Sequence, residues 1–380
     1  EDNKFGTGEV QQFRLALESV SGKDLNWFFD QWYFGNGHIK LDVSYKYNSE
    51  SKKVTLHLKQ GEKTFNFPLK VDVYSPQGVQ HYDLFVDKDS QDLSFSADVA
   101  PLLIDVDPEK DLLAQITDST KTTANYSYQY KNVKSYEARR TAIEALSKQQ
   151  NDIEANATLT SALNDPYFGL RILAIKSIDL TKPKAKKAIK IVEKLVKNDP
   201  KTLVQASAIK ALGTLKNKKY KNLFVQATQS PSFSVQGNAI SALYQIDNIE
   251  ALKASKALPA ASKKFMAGSL VSMFIKEKDE SEMSFIAKNL VAGMFMTQDK
   301  DVQKEYGEAF KWIASSSNKE ATQVLIDSFV KTGKQYKQYG ADKMMLQMMT
   351  QIIDLKKKAK LSNEKELLDI VNKGISDLKQ

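Results

Sequence analysis

The chain contains no cysteine, and this absence excludes three kinds of chemistry. Disulfide bridges, thiolate nucleophiles and zinc sites with cysteine ligands all require a thiol. The compartment stays open, because a cysteine-free protein is compatible with both cytosol and periplasm.

Histidine is almost as scarce, with His38, His57 and His81 as the only three. A thermolysin-like zinc site needs H-E-x-x-H on a helix, so that two imidazoles one turn apart reach the metal beside a general-base glutamate. None of the three histidines has a histidine neighbour one turn away, and we expect ordinary surface or turn positions for all of them. Neither a G-x-S-x-G nucleophile turn nor a glycine-rich phosphate loop is present. The sequence therefore predicts no catalytic, cofactor-binding or metal-ligating residue and no cofactor within this chain.

Long apolar runs are also missing, and no stretch approaches the ~18 residues that cross a bilayer as a helix. The chain begins with Glu1, without a methionine or a charged-then-apolar leader, so we expect a processed protein or an excised piece. The composition, with 42% hydrophobic and 27% charged residues, is typical of a soluble folded protein, periplasmic or cytoplasmic.

Arginine is scarce in a chain whose charge is unevenly distributed. Residues 1–120 hold 12 Lys+Arg against 20 Asp+Glu, whereas residues 121–380 hold 43 against 26. The four arginines are Arg14, Arg139, Arg140 and Arg171. Bidentate recognition of phosphates and bases favours arginine, so this composition argues against a nucleic-acid binder and favours a lysine-coated helical surface.

The first region is aromatic and helical. Val10, Phe13, Leu17 and Val20 follow the spacing of one buried helix face, and Leu25, Phe28, Phe29 and Trp32 predict a second stripe. Between the stripes, Ser21 and Asp24 have the S-x-x-D spacing of a capping box. Two short helices cannot bury this much aromatic surface against each other, so we expect exposed apolar surface around Trp27 and Trp32 unless a partner covers it.

From residue 40 the period changes to two, as in "LDVSYKY", "VTLHL" and "TFNFPLKVDVY", and this predicts a small antiparallel β-sandwich over residues 40–116. Pro68 within a strand indicates an edge or a bulge. At the end of this region Asp105, Asp107, Glu109 and Asp111 lack the spacing of a calcium loop, and we expect a solvated acidic cluster. Residues 117–134 are polar and without a clear period, and they are interpreted as a linker or an ordered surface crossing.

Residues 135–380 are predicted to be helical and to repeat. Pro166, Pro200 and Pro231 each follow Asp or Ser, and proline at the first helical position loses no hydrogen bond. Ala-Ile pairs recur at nearly the same steps, at 142–143, 174–175, 208–209 and 239–240. This pattern resembles short HEAT-type repeats, including the acid-then-arginine spacing of Asp165 and Arg171.

Two side-chain clusters in this region allow more than one interpretation. The lysine runs at 182–190, 216–221 and 355–360 are either exposed edges between helices or part of a basic surface that attracts carboxylates. The methionines of "MMLQMM" (Met344, Met345, Met348 and Met349) either fill gaps in a core or line an adaptable binding surface.

The stretch from Val10 to Tyr47 resembles the end of the catalytic domain in aminopeptidase N-like zinc metallopeptidases, the gluzincins. The family pattern F-x-x-x-x-E-x-x-S-G-x-D-L-x-x-F-F-x-x-W is matched here by Phe13, Glu18, Ser21, Gly22, Asp24, Leu25, Phe28, Phe29 and Trp32, with Gly35 and Gly37 at the following turn. In longer family members a β-sandwich and a helical solenoid follow, as they are predicted to do here. The family's zinc ligands, general base and transition-state tyrosine lie upstream of this pattern, so none is carried over.

The resemblance implies a non-catalytic C-terminal region of a zinc aminopeptidase, which removes N-terminal residues from peptides. Its expected parts are the helical end of a thermolysin-like domain (1–39), a β-sandwich (40–116), a linker (117–134) and a HEAT-like helical repeat domain (135–380). Expected partners are the N-terminal catalytic domain of the same chain, which would hold the zinc, and the peptide, whose far end the solenoid contacts while it limits access to the active site. The alternative is a free-standing HEAT-repeat scaffold that binds a protein partner.

Overall fold

The computed structural model of the protein describes residues 4–295 and 297–380. Two helices come first, α1 (Val10–Ser21) and α2 (Asn26–Trp32). Seven strands follow: β1 (Ile39–Asn48), β2 (Lys53–Gln60), β3 (Phe67–Ser75), β4 (Gly78–Val86), β5 (Ser90–Ser96), β6 (Leu103–Val106) and β7 (Ala114–Asp118). The rest is helical: α3 (Thr123–Asn132), α4 (Tyr136–Ser147), α5 (Ile153–Ala162), α6 (Phe168–Ser177), α7 (Lys186–Asn198), α8 (Thr202–Gly213), α9 (Lys221–Ala227), α10 (Phe233–Tyr244), α11 (Asn248–Lys256), α12 (Ala260–Lys263), α13 (Ala267–Lys276), α14 (Met283–Phe295), α15 (Lys300–Ala314), α16 (Lys319–Gln335), α17 (Ala341–Ala359) and α18 (Glu364–Lys379). The predicted α+β order is confirmed, and the chain divides into two compact units, Glu1–Ala188 and Ile189–Gln380.

The strands form the predicted sandwich. One sheet has the order β5-β2-β1-β7 and the other the order β4-β3-β6. All pairs are antiparallel except β1 with β7, where Leu41 is the parallel partner of Ile116. Alternate residues of β1 point into a core that both sheets share, as the period of two predicts, and Phe65 and Val71 are fully buried in that core.

Pro68 lies in β3, which is the middle strand of its sheet. On one side Pro68 is the register partner of Phe85 in β4. On the other side the pairing with β6 extends only from Val71 to Tyr74. Proline cannot donate a backbone hydrogen bond, so it is tolerated where the strand is locally an edge. The predicted edge position is therefore local and does not extend along the strand.

The segment 117–134 is more ordered than a linker. It contains the end of β7 and all of α3, whose cap Thr122 accepts a hydrogen bond from Asn125 N. The helix has no apolar stripe because its buried residues are polar: Gln129 donates to Ala138 O at 2.7 Å, and Ser127 lies 3.1 Å from Thr158 Oγ1. A search for hydrophobic period cannot detect a helix that is buried through hydrogen bonds.

The recurring Ala-Ile pairs lie where the repeat hypothesis places them, on α4, α6, α8 and α10, and every one of these side chains is buried. Their prolines occupy a different position from the predicted one. Helices α6, α8 and α10 each begin two residues after proline, so Pro166, Pro200 and Pro231 precede the N-cap. Proline there restricts the turn that leads into the helix and does not form its first residue.

Each of these turns is closed by two polar side chains. Asp165, Asp199 and Ser230 accept a hydrogen bond from the backbone N–H two residues on. Six residues after each of them, a longer side chain donates back to a backbone carbonyl of the turn. The donors and acceptors are Arg171 to Asp165 O, Gln205 to Asp199 O and Gln236 to Thr228 O. The same pair of hydrogen bonds therefore recurs in three repeats, together with the Ala-Ile pair. The second bond of each pair satisfies a backbone carbonyl that a buried turn would otherwise leave without a donor.

Asp165 also ties two helices together. Its carboxylate oxygen Oδ2 accepts from Arg139 Nη1 on α4 at 2.6 Å and from the Tyr130 hydroxyl on α3 at 3.0 Å. The side chain of Asp165 is 1% exposed, so its charge depends on these donors. Burial and the neighbouring carboxylate raise the pKa of Tyr130, which stays a neutral donor.

We predict that Asp165→Ala lowers the free energy of unfolding by about 3 kcal/mol, because it leaves the half-buried Arg139 and the Tyr130 hydroxyl without their acceptor. Urea unfolding followed by circular dichroism measures the change. Asp369→Ala is the matched control, since Asp369 is exposed on α18, and it should change stability by less than about 0.5 kcal/mol. Equal effects of the two substitutions would contradict the assigned role.

Lys356 departs from the predicted lysine-coated surface. It belongs to the run at 355–360, yet it is fully buried in α17 and donates to Ser316 O at 3.0 Å. Burial lowers its pKa to about 8. Three of the four methionines of the same helix, Met345, Met348 and Met349, are also buried, which confirms the core interpretation for them.

Lys356 should make stability depend on pH above neutrality. Its pKa is lower in the folded state than in the unfolded chain, so the unfolded chain binds more protons between about pH 8 and 10.5, and stability rises with pH there. Relative to Lys356→Met, the wild type should gain about 2 kcal/mol between pH 7 and 10, measured by urea unfolding at each pH. A difference between the two proteins that does not change with pH would show that folding does not lower the pKa of Lys356.

Candidate functional site

Helix α1 presents its apolar side outward. Most of the stripe predicted to be buried is exposed: Phe13 is 60% and Val20 90% accessible, and α1 has no buried residue. The prediction of a buried face was wrong for this chain, although Val10 is half-buried and Phe13 meets Phe29 of α2 edge to face, with ring centroids 5.9 Å apart. The helix is amphipathic, as helices packed on a core are, but most of its apolar stripe faces solvent.

The inner side of α1 is polar. Arg14 and Glu18 form an ion pair at 2.8 Å, and each side chain is only 19% exposed. Glu18 also accepts a hydrogen bond from Leu25 N at 2.8 Å, which closes the turn between α1 and α2. An arrangement with charges inside and phenylalanine outside is the reverse of a surface helix that packs on one side only.

The predicted capping box at Ser21 and Asp24 is wrong. Ser21 is the last residue of α1 and donates to Leu17 O, and the N-cap of α2 is Leu25 without a side-chain cap bond. Asp24 instead accepts from Asn26 N, which lowers the pKa of its carboxyl group. The reciprocal box lies at the start of α1, between Glu9 and Gln12.

The sandwich covers part of the aromatic cluster. Trp32 stacks on Phe65 with ring centroids 5.2 Å apart, and Trp27 meets Phe85 edge to face at 5.9 Å. Both tryptophans are themselves half-buried, and the expected exposed apolar surface around them is formed by neighbouring rings. The exposed rings belong to Phe13, Phe28, Tyr33 and Phe34, and we call these four residues the aromatic face.

The histidines lie apart, as predicted. His57 Nδ1 is 2.7 Å from Asp92 on the neighbouring strand, and His81 Nδ1 is 2.6 Å from Asp72. His38 lies before β1. Within residues 4–295 and 297–380, no group of three or more His, Asp or Glu side chains is arranged to hold a metal ion. The described residues therefore do not fit a zinc site.

The acidic cluster is divided between surface and interior. Glu109 and Asp111 are exposed and pair with Lys70, whose pKa they raise. Asp105 and Asp107 are both 3% exposed, so the expectation of a fully solvated cluster was wrong. Burial raises the pKa of Asp107.

Asp105 connects the sandwich to the first repeat helix. Its Oδ1 lies 3.5 Å from Lys121 Nζ, and that ammonium donates to Gln129 of α3 at 3.0 Å. The other carboxylate oxygen is buried and has no hydrogen-bond partner among the described atoms. The spacing of acids along the sequence gave no indication of this, because Lys121 is 16 residues away and the pair depends on how α3 lies against β6.

The two larger grooves found in the described part of the second unit differ in chemistry. The first has a volume of about 480 Å³ between α8, α10 and α13, and small or polar side chains line it, including Ser241 and Ser269. Its charged lining residues are Lys210 and Lys216, both exposed. The second, of about 640 Å³, lies between α14, α16 and the start of α17 and is mainly apolar. No helix in the described part of the chain is long and apolar enough to cross a bilayer.

Comparison with known proteins supports the repeat interpretation. A family model of HEAT repeats matches residues 129–211 and 189–260. No curated protein matches the chain. Among solved structures, the fold is similar to that of an aminopeptidase A of Legionella pneumophila, determined in complex with aspartic acid, with a TM-score of 0.53 at 14% identity. The alignment covers 99% of this chain and 53% of that one, so the chain spans about half the length of the structure it matches.

Proposed function

We propose that this chain is the non-catalytic C-terminal region of a zinc aminopeptidase that removes N-terminal residues from peptides. The observation that carries the proposal is the inverted polarity of α1, with the aromatic face exposed and the Arg14–Glu18 pair turned inward. A helix of this kind is expected where a further domain packs on its apolar side. On this proposal, a thermolysin-like catalytic domain earlier in the same chain covers the aromatic face.

Two further findings support this assignment. The aromatic face belongs to the stretch that resembles the end of the gluzincin catalytic domain. In addition, this chain is similar in fold to about half of a solved aminopeptidase. The zinc and the residues that hold it belong to the catalytic domain on this proposal, and the described residues here contain no metal-binding cluster.

The helical repeats would shape access to the active site and contact the distal end of the peptide. The groove lined by Lys210 and Lys216 is the candidate contact, because its hydroxyl and amide groups suit a peptide backbone and its lysines suit a C-terminal carboxylate. Neither lysine forms an ion pair with any described residue.

The coding sequence upstream of Glu1 tests the proposal most directly. It should contain, in the same frame, an H-E-x-x-H motif followed by a further glutamate about twenty residues on. The imidazoles and the second glutamate would hold the zinc, and the first glutamate would act as general base. A start codon or secretion leader directly before Glu1 would refute the proposal and favour the free-standing repeat scaffold.

The peptide contact has a separate test in the complete enzyme. Lys210→Glu/Lys216→Glu should lower kcat/KM about fivefold for peptides with a free C-terminal carboxylate and leave the matching C-terminal amides unchanged, an effect of about 1 kcal/mol. Lys194→Glu/Lys197→Glu on α7 changes the net charge equally outside the groove and serves as control. An unchanged ratio between acid and amide substrates would exclude this groove as the contact.

A further inference from the structure

The apolar groove of the second unit is built by one compact turn and two helix surfaces. Its floor and rim include Val291 and Phe295 of α14, Tyr336 and Tyr339 after α16, and Met344 of α17. Phe295 is 43%, Tyr339 78% and Met344 37% exposed. A volume of about 640 Å³ is in the range of ligand sites, and exposed aromatic and thioether groups are typical of binding surfaces.

Backbone hydrogen bonds close the turn that carries the two tyrosines. Tyr339 N and Ala341 N both donate to Tyr336 O, and Gly340 N donates to Lys337 O. Gly340 has a φ of +78°, a conformation that glycine adopts without strain. Ala341 directly after it is buried and anchors the end of the turn.

The surroundings of the groove are basic. Lys288 and Lys331 line it, and no acidic side chain does. Three more exposed lysines, Lys334, Lys337 and Lys343, belong to the segment that forms the rim, where Asp342 is the only acid between residues 331 and 343. None of these five lysines forms an ion pair with a residue in the described ranges, 4–295 and 297–380.

Some lysines elsewhere in the same unit have carboxylate partners. Lys221 pairs with Asp247 at 2.6 Å and Lys256 with Asp279 at 2.8 Å. Lys263 and Lys319 likewise pair with Glu282 and Glu366. A cluster of unpaired ammonium groups around an apolar groove is complementary to a ligand that carries carboxylates beside apolar side chains.

We propose that this groove binds an acidic amphipathic segment of a partner protein. Apolar side chains of the segment enter between Phe295, Tyr339 and Met344, and its carboxylates meet the lysines of the rim. This is the helix-in-groove mode of peptide recognition, with lysines setting the charge of the partner. The proposal is independent of whether the chain is part of a peptidase.

The groove suits a protein better than a nucleic acid. The chain has no arginine after Arg171, so bidentate contacts with phosphates and bases are unavailable from this unit.

The probe is a short fluorescein-labelled peptide with leucine and phenylalanine at i, i+3, i+4 and i+7 and glutamate elsewhere, titrated with the protein by fluorescence anisotropy. Saturable binding with a Kd in the micromolar range is expected, and it should weaken as salt is raised. A second peptide with lysine in place of glutamate should bind at least tenfold more weakly.

Substitutions inside and outside the groove test whether the peptide binds there. Tyr339→Ala and Lys288→Glu/Lys331→Glu should each weaken binding about tenfold, since they remove an aromatic anchor and reverse the charge of the rim. The matched controls are Ile249→Ala, with an equally exposed side chain on α11, and Lys357→Glu/Lys365→Glu, with the same charge change away from the groove. The controls should bind within twofold of the wild type, and circular dichroism should show all variants folded.

Four results would overturn the proposal. They are no saturable binding below about 1 mM, equal binding of the lysine peptide, equal loss in groove variants and controls, and tighter binding of a single-stranded oligonucleotide that the same groove variants abolish. Sedimentation of the protein alone provides a fifth, because a dimer that Tyr339→Ala dissociates would make a second copy of this chain the occupant of the groove.

Discussion

Burial of the Ala-Ile pairs is the constraint on which the helical part of the protein depends. A single pair of helices cannot cover its own apolar residues, so each repeat is stable only against its neighbours. Within the second unit α8 and α10 approach so closely that a Cβ added to Gly213 would lie 2.9 Å from the Cβ of Ala242. Small side chains at such contacts permit the approach, and larger ones would separate the helices.

The same stacking puts polar groups in the interior, and the structure satisfies most of them locally. Arg171, Gln205 and Gln236, each bonded to a carbonyl of its turn, are repeat-specific solutions to one problem, the buried backbone of a turn between two packed helices. Lys356 is less well compensated. It donates to a single carbonyl, which does not offset the cost of burying its charge, and burial therefore lowers the pKa of Lys356.

Two surfaces remain for which the described residues supply no partner, and they differ in chemistry. The aromatic face of α1 and α2 is apolar and exposed, whereas the Arg14–Glu18 ion pair on the other side of α1 is largely shielded from solvent. This arrangement is expected for a contact between domains of one chain. The groove beside Tyr339 combines a smaller apolar area with a ring of lysines, as expected for a reversible contact that charge directs.

The sequence by itself determined the order of the parts, the sandwich and the four Ala-Ile pairs, because these follow from period, spacing and composition. It did not reveal that α3 is a helix, that Asp105 and Lys356 are buried, or that the sandwich half-buries Trp27 and Trp32 while Phe13 is exposed. Those outcomes depend on which residues distant in sequence meet: Gln129 with Ala138, Asp105 with Lys121, Trp32 with Phe65. Burial of a polar or aromatic side chain is decided by the partner that tertiary packing brings to it, and local sequence contains no record of that partner.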